Sequence, residues 1–181
     1  MTAKFQARPI NPDMTTGNHR VDRSLSYLWA MADHLKIEPI TTEQLARLLP
    51  LIAEYQRFYE VEEIDEERNR EFLARFLDPS ENGMLLGAWR EDELLGYACL
   101  YWHFTSLVPA ETVLMNDLFV APEARGQGVG RALIDASADV ARTRSAHHLE
   151  WATAPSNEKA QRLYDFTGAK RTTWIEYELE L

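Results

Sequence analysis

The alternation of apolar and polar positions divides the chain into an aperiodic opening and a long regular body. Up to about residue 23, Pro9, Pro12 and Gly17 stand among polar residues without a period, which predicts a tail. In SLSYLWAMADHL, Leu25, Leu28, Trp29, Ala32 and Leu35 recur on one helical stripe. This predicts a short amphipathic helix that docks on its own domain or, less often, on a partner. Met31 would also make a natural start for a domain, so residues 1–30 read either as an appendage or as a start-site extension. The pattern thus places a tail and helix over 1–34 and one domain over 35–181.

From Leu35 the pattern is regular. LKIEPI alternates as a strand, and TTEQLARLLPLIAEYQRFYE reads as a helix opened by a threonine cap near Glu43, kinked or divided at Pro50. EERNREFLARFLD reads as a second helix that buries Phe72, Leu73, Phe76 and Leu77 and stops at Asp78-Pro79. MLLGAWR and ELLGYACLYWHFTS form a hairpin through Glu91-Asp92-Glu93, and TVLMNDLFV is a further strand ended by Ala121-Pro122. Val129, Leu133, Ala136, Ser137 and Val140 then mark a helix to about Arg144. HHLEWATA reads as a strand, and SNEKAQRLYDFTG as a helix with Ser156 as cap and Gly168 as stop. KRTTWIEYELEL ends the chain as one extended stretch. The order β-α-α-β-β-β-α-β-α-β predicts one mixed α/β domain.

Composition narrows the function. With 181 residues and 45% hydrophobic content the chain can bury a real core. No apolar run approaches the roughly 18 residues of a membrane span, and the opening residues lack the apolar centre of a secretion signal, so the cytoplasm is the default address. The lone Cys99 offers neither a disulfide framework nor a cysteine metal cluster, and no metal is expected. A net charge of −10 argues against nucleic acid as a partner. Half of that charge lies in Glu60 to Glu71, where seven acidic and two basic residues form either a solvated helix face with pairs such as Glu66–Arg70 or a negative rim for a cationic ligand.

The chemistry concentrates in RGQGVGR, residues 125–131. Gly126, Gly128 and Gly130 sit between a strand and a helix, where unpaired N–H groups and the helix dipole can hold an anion. Arg125 and Arg131 can add charge to it. A Walker loop would end Gly-Lys-Ser/Thr, which this loop does not. A dinucleotide fingerprint would sit in the first β-α unit, whereas here three strands and two helices come first. A flexible turn is the alternative.

LMNDLFVAPEARGQGVGRALI followed by LEWATAPSNEKAQRLYDFTGAKR resembles the GNAT superfamily of acetyl-CoA-dependent N-acetyltransferases. Arg125-Gly126-Gln127-Gly128-Val129-Gly130 matches the family's loop in full, and Asn157 to Ala160 with Leu163-Tyr164 resembles its second cofactor motif. The resemblance runs from about Leu35 to the C-terminus. It implies a mixed, mostly antiparallel sheet splayed at the fourth and fifth strands and flanked by helices. It further implies that Leu118, Phe119 and Val120 pair with the pantetheine arm and that the amides of Gln127, Gly128, Val129, Gly130 and Arg131 hold the pyrophosphate. Asn157, with Ala160 beside it, would bind the pantetheine. Tyr164, seven residues on and so on the same helix face, would protonate the leaving thiolate or else be a core tyrosine.

The resemblance leaves the base and the acceptor open. Polyamine acetyltransferases carry a glutamate base at the position of Asn116, and asparagine cannot serve. Strand alternation turns Asp117 to the opposite face, leaving Glu111, His103 or Glu150 to act through water. MNDLFV and the YQRFYE segment look closest to the histone and polyamine branch. Tyr59, Glu60 and Asn116 are therefore the candidate acceptor residues, for a primary amine on a polyamine, a lysine side chain or an amino sugar. Peptide N-terminal acetylation and a sensor that binds acetyl-CoA without turnover are the alternatives. Members of the family are often dimers, and the C-terminal strand is a candidate for pairing across one.

Overall fold

The computed structural model describes residues 35–175 and 177–179. The tail and amphipathic helix expected before Leu35 lie outside the described residues. Five strands form one sheet in sequence order: β1 (Leu35–Pro39), β2 (Gly83–Arg90), β3 (Glu93–Thr105), β4 (Ala110–Val120) and β5 (Leu149–Glu150). Neighbours are antiparallel except β4 and β5, which are parallel. The β2–β3 hairpin closes with Arg90 opposite Glu93, and Glu91 takes φ 52° in the turn between them.

Helices α1 (Leu45–Phe58) and α2 (Glu66–Leu73) precede β2, α3 (Val129–Thr143) follows β4, and α4 (Glu158–Asp165) follows β5. At the entry to α1 the Thr41 N–H donates to Gln44 Oε1 at 2.9 Å, but Gln44 holds the cap position and no side chain caps the helix, so the expected threonine cap does not form. Pro50 does not divide α1. Pro50 and Ala46 both face solvent, so water can satisfy the Ala46 carbonyl that the missing N–H would have met. Asp65 caps α2 by accepting from the Arg68 N–H at 3.0 Å, and the Glu66–Arg70 pair forms at 2.9 Å. After Leu73 the chain tightens into a 3₁₀ turn, Ala74–Phe76. The change of pitch moves Phe72 out of the buried stripe, so it is exposed against the Phe76 ring while Leu73 and Phe76 are buried.

Tyr55 of α1 packs edge-on against Tyr97 and Phe119, and Tyr101 stacks on Phe76, so α1 and the 3₁₀ turn after α2 cover one face of the sheet. Leu133 of α3 approaches Gly96 from the other. Residues Leu85 to Trp89 and Leu95 to Leu100 contribute much of the core between these layers, with β2 and β3 protected on both sides. Two strand expectations are corrected. HHLEWATA contributes only Leu149–Glu150, because β4 diverges from it. The extended stretch after Lys170 forms no strand among the described residues. An extended run needs a free sheet edge to pair with, and none in the described chain receives this one.

Candidate active site

The site opens where β4 and β5 part. The two strands pair at Val113–Leu149 and Leu114–Glu150 only, and the backbone of Leu118 to Val120 runs on along a cleft of about 380 Å³. Beyond β4, a 3₁₀ turn (Pro122–Ala124) leads into the glycine loop. Gly126 and Gly128 take φ 78° and 84°, left-handed values that favour glycine, and a Cβ on either would meet nothing within 4 Å. The space before them is therefore free for a ligand. Gly130 is different: its Cβ would come 3.1 Å from Leu163 Cδ2, so this third glycine serves close packing of α3 on α4.

Gly128 also starts α3. The first bond into the helix runs from the Ala132 N–H to the Gly128 carbonyl at 3.0 Å, leaving the N–H groups of Val129, Gly130 and Arg131 without partners inside the helix. Fifteen aligned residues add their dipole at that end. The two arginines border the cleft but are tied to protein. Arg125 Nε donates to the Val120 carbonyl at 2.9 Å and lies over the Phe119 ring at 5.5 Å. Arg131 Nε donates to both Asp135 oxygens at 2.9 Å, and its Nη1 to the Phe166 carbonyl at 2.9 Å. The Gln127 side chain fastens the loop rather than lining the cleft. Its Nε2 donates to the Glu123 carbonyl at 2.8 Å, and its Oε1 accepts from Arg90 Nη2 at 2.8 Å. Unpartnered amides, left-handed glycines and an uncovered strand edge together fit a pyrophosphate joined to an extended amide arm.

Helix α4 forms the opposite wall. Asn157, not Ser156, caps it: the turn that closes with the Asn157 N–H on the Ala154 carbonyl puts Asn157 at the junction, and its Oδ1 accepts from the Ala160 N–H at 3.2 Å. Its side-chain NH2 remains available to the cleft, which Asn157, Ala160 and Tyr164 all line. The Tyr164 ring meets Trp151 edge-on at 5.4 Å. Burial, with Tyr59 nearby, lifts its phenol above the ordinary tyrosine range, so it stays protonated and can donate.

The sequence-predicted acceptor residues divide between two spaces. Tyr59 and Asn116 line the main cleft. Glu60, held at φ 58° just past the end of α1, lines a second, adjoining pocket with Phe58, Tyr59 and Asn157. Glu111, His103 and Glu150 border neither. They sit toward the other end of β4, where Arg144 Nη2 holds Glu111 at 2.9 Å and Glu150 lies 3.4 Å from His103.

Strand β4 does not alternate regularly at Asp117, although Asn116 and not Asp117 lines the cleft. Cys99 stands opposite Asp117 and Leu100 opposite Met115, so Asn116 is an extra residue in a β-bulge. The bulge lets neighbouring side chains meet, and Asn116 Nδ2 donates to Asp117 Oδ1 at 3.1 Å. Burial raises the Asp117 carboxyl above the usual carboxylate range, against the opposing effects of the Tyr55 hydroxyl and the Asn116 amide. Tyr55, Phe58 and Trp151 line the cleft without having been singled out. The available signal was the shared helical face of Tyr55, Phe58 and Tyr59 in YQRFYE.

Residues 48–168 match the acetyltransferase (GNAT) family. The chain is 32% identical over 139 residues to an uncharacterized N-acetyltransferase of Bacillus subtilis, covering 77% of this chain and 92% of that one. It is 33% identical over 134 residues to a D-amino-acid N-acetyltransferase of Saccharomyces cerevisiae, covering 73% and 83%. A thialysine N-epsilon-acetyltransferase of Mus musculus is 33% identical over 91 residues, 48% of this chain and 53% of that one. A crystal structure of a probable acetyltransferase superposes with a TM-score of 0.73 at 32% identity, over 81% of this chain and 97% of the other.

Proposed function

The chain belongs to the acetyltransferase (GNAT) family, which uses acetyl-CoA, and from that premise we propose that it acetylates a primary amine on a small cationic acceptor. One observation carries the reading: the open start of α3 and the protonated phenol of Tyr164 face the same cleft. Acetyl-CoA supplies an activated acyl thioester. In this reading the amides of Val129 to Arg131 hold its pyrophosphate, the edge of β4 from Leu118 to Val120 pairs with its pantetheine amides, and Asn157 donates to the same arm. The neutral amine attacks the thioester carbon, and Tyr164 gives its proton to the departing sulfur.

The cationic acceptor is supported by Glu60 in a pocket walled by Phe58 and Tyr59, which offers a carboxylate and ring faces to an ammonium. The mouse relative is named for an ε-amine, which belongs to this class. The yeast relative is named for D-amino acids, so α-amines belong in the same test. Thiol release from acetyl-CoA would be followed with diamines, lysine peptides, aminoglycosides, D-amino acids and peptide α-amines. A preference for neutral or anionic acceptors would overturn the cationic reading. Tyr164→Phe should lower kcat by about 100-fold while leaving acetyl-CoA affinity within about twofold. Asn116 favours a second reading, a module that binds acetyl-CoA without turnover. Tight binding with no thiol release for any amine would select it.

A further inference from the structure

An ammonium must lose a proton before it can attack, and no carboxylate or imidazole among the described residues lines the main cleft. The carboxyl next along the strand is that of the half-buried Asp117, one residue beyond the cleft-lining Asn116. The groups facing it are Tyr55 from α1, Tyr97, Cys99 and Tyr101 from β3, and Asn116 beside it on the bulge. None is a cation. Tyr55 lines the cleft, and burial, with Asp117 and Tyr59 nearby, raises its phenol above the ordinary tyrosine range. The Tyr55 and Tyr59 rings meet edge-on at 5.0 Å. Tyr59 is 51% exposed and borders both the main cleft and the Glu60 pocket. The hydroxyl of Tyr97, whose phenol the Asp117 charge also helps to raise, is fully buried without a hydrogen-bond partner.

We propose that Asp117 is the proton acceptor for the substrate ammonium, reached from the cleft through the hydroxyls of Tyr59 and Tyr55. The proposal rests on the acetyl-transfer reading above. The ammonium gives one proton to Tyr59 Oη, Tyr59 passes its own to Tyr55 Oη, and Tyr55 passes its own to an Asp117 oxygen. Both phenols end unchanged and the carboxylate becomes a carboxylic acid. The neutral amine then forms the C–N bond as the C–S bond breaks. The acetylated nitrogen releases its second proton, which returns to the Tyr164 phenolate through water and replaces the one given to sulfur, and Asp117 returns its proton to solvent. Burial suits Asp117 to the task, because a carboxyl above its ordinary range lies closer to an ammonium near 10. Here the bulge supplies through two tyrosines what Asn116 cannot supply directly.

The test is the pH dependence of kcat/KM with a diamine or lysine peptide for wild type, Asp117→Asn and Tyr55→Phe, with acetyl-CoA affinity as a check on folding. Asp117→Asn should lower kcat about 100-fold or more. It should also replace the neutral-pH plateau with a steady rise toward high pH, as solvent takes over the deprotonation. Tyr55→Phe keeps the ring packing and should show the same profile, and the double variant should be no worse than the poorer single one. If either variant binds acetyl-CoA like wild type and keeps kcat within threefold with an unchanged profile, the relay is wrong. If wild type releases no thiol with any amine, the acetyl-transfer reading falls first and the relay with it.

Discussion

Arg131 Nη1 donates to the Phe166 carbonyl at 2.9 Å, so a side chain from the first turn of α3 holds the residue that ends α4. The same guanidinium is locked by Asp135 one turn along. Its reach couples the helix proposed to hold the pyrophosphate to the helix that carries Tyr164. The loop sequence suggested a phosphate ligand, but the geometry makes Arg131 first a link between two walls. Arg131→Met should weaken acetyl-CoA binding about three- to tenfold, a range set below that of a buried charged hydrogen bond because the pair is partly exposed. Calorimetric titration would measure this. Unchanged affinity would mean that the link is incidental.

Gly130 and Leu163 set the spacing of the same two walls. A methyl group at Gly130 would sit 3.1 Å from Leu163 Cδ2, and Leu163 directly precedes Tyr164. Displacing that contact by a few tenths of an ångström moves the proposed proton donor, which ordinarily costs several-fold in rate. Gly130→Ala should lower kcat by about three- to tenfold, and adding Leu163→Ala should recover most of it. Gly126→Ala, strained in φ but free of contacts, should show no such rescue. Steady-state kinetics of the three variants would separate clash from strain.

Periodicity made the order of elements and the position of the glycine loop legible, because α1, α3 and α4 bury regular stripes and the strands are bounded by clear turns. It could not show the bulge at Asn116. One extra residue leaves the apolar pattern of TVLMNDLFV nearly intact, yet it lets the Asn116 and Asp117 side chains meet, which regular alternation would not. Cap placement was similarly ambiguous: Ser156 and Asn157 are both good caps, and only the turn closed on Ala154 decides between them. The three loop glycines look equivalent in sequence but serve left-handed backbone at two positions and helix packing at the third. The extended run after Lys170 was legible as strand-forming, but a strand's partner is not written in its own residues.

That run leads to an expectation about assembly. Trp174, Ile175, Tyr177 and Leu179 are 85%, 78%, 92% and 83% exposed within six residues, in a stretch rich in strand-forming types. We propose that it pairs with a second copy of the chain, where strand formation would cover these side chains. Light scattering after gel filtration should give twice the mass of one chain. Removal of residues 172–181 should give a monomer that still binds acetyl-CoA, since none of the described ones among them lines the cleft. A monomeric full-length protein would rule the pairing out.

Asp117 should also make stability depend on pH in a direction opposite to that of a salt-bridged carboxylate. Its carboxyl is raised in the folded chain above the ordinary 3.8, chiefly by burial. A raised folded value means that the folded state keeps the proton longer than the unfolded one. The resulting stability is fully present below the unfolded value and is lost as pH rises through the folded value. Above that point the fold carries a desolvated charge that the Tyr55 hydroxyl and the Asn116 amide only partly satisfy. Asp117→Asn removes the charge and keeps the shape, so its Tm relative to wild type should rise between pH 3.5 and pH 8. Each kcal/mol corresponds to about 2–4 °C for a chain of this size. Other titrating groups are common to both proteins and cancel in the difference. Thermal melts across that range would read it directly, and a variant that loses Tm relative to wild type as pH rises would show that the ionised carboxylate is stabilised where it lies. The expected gain has a functional counterpart, because the variant that melts higher at neutral pH is the one that should have lost the proposed base.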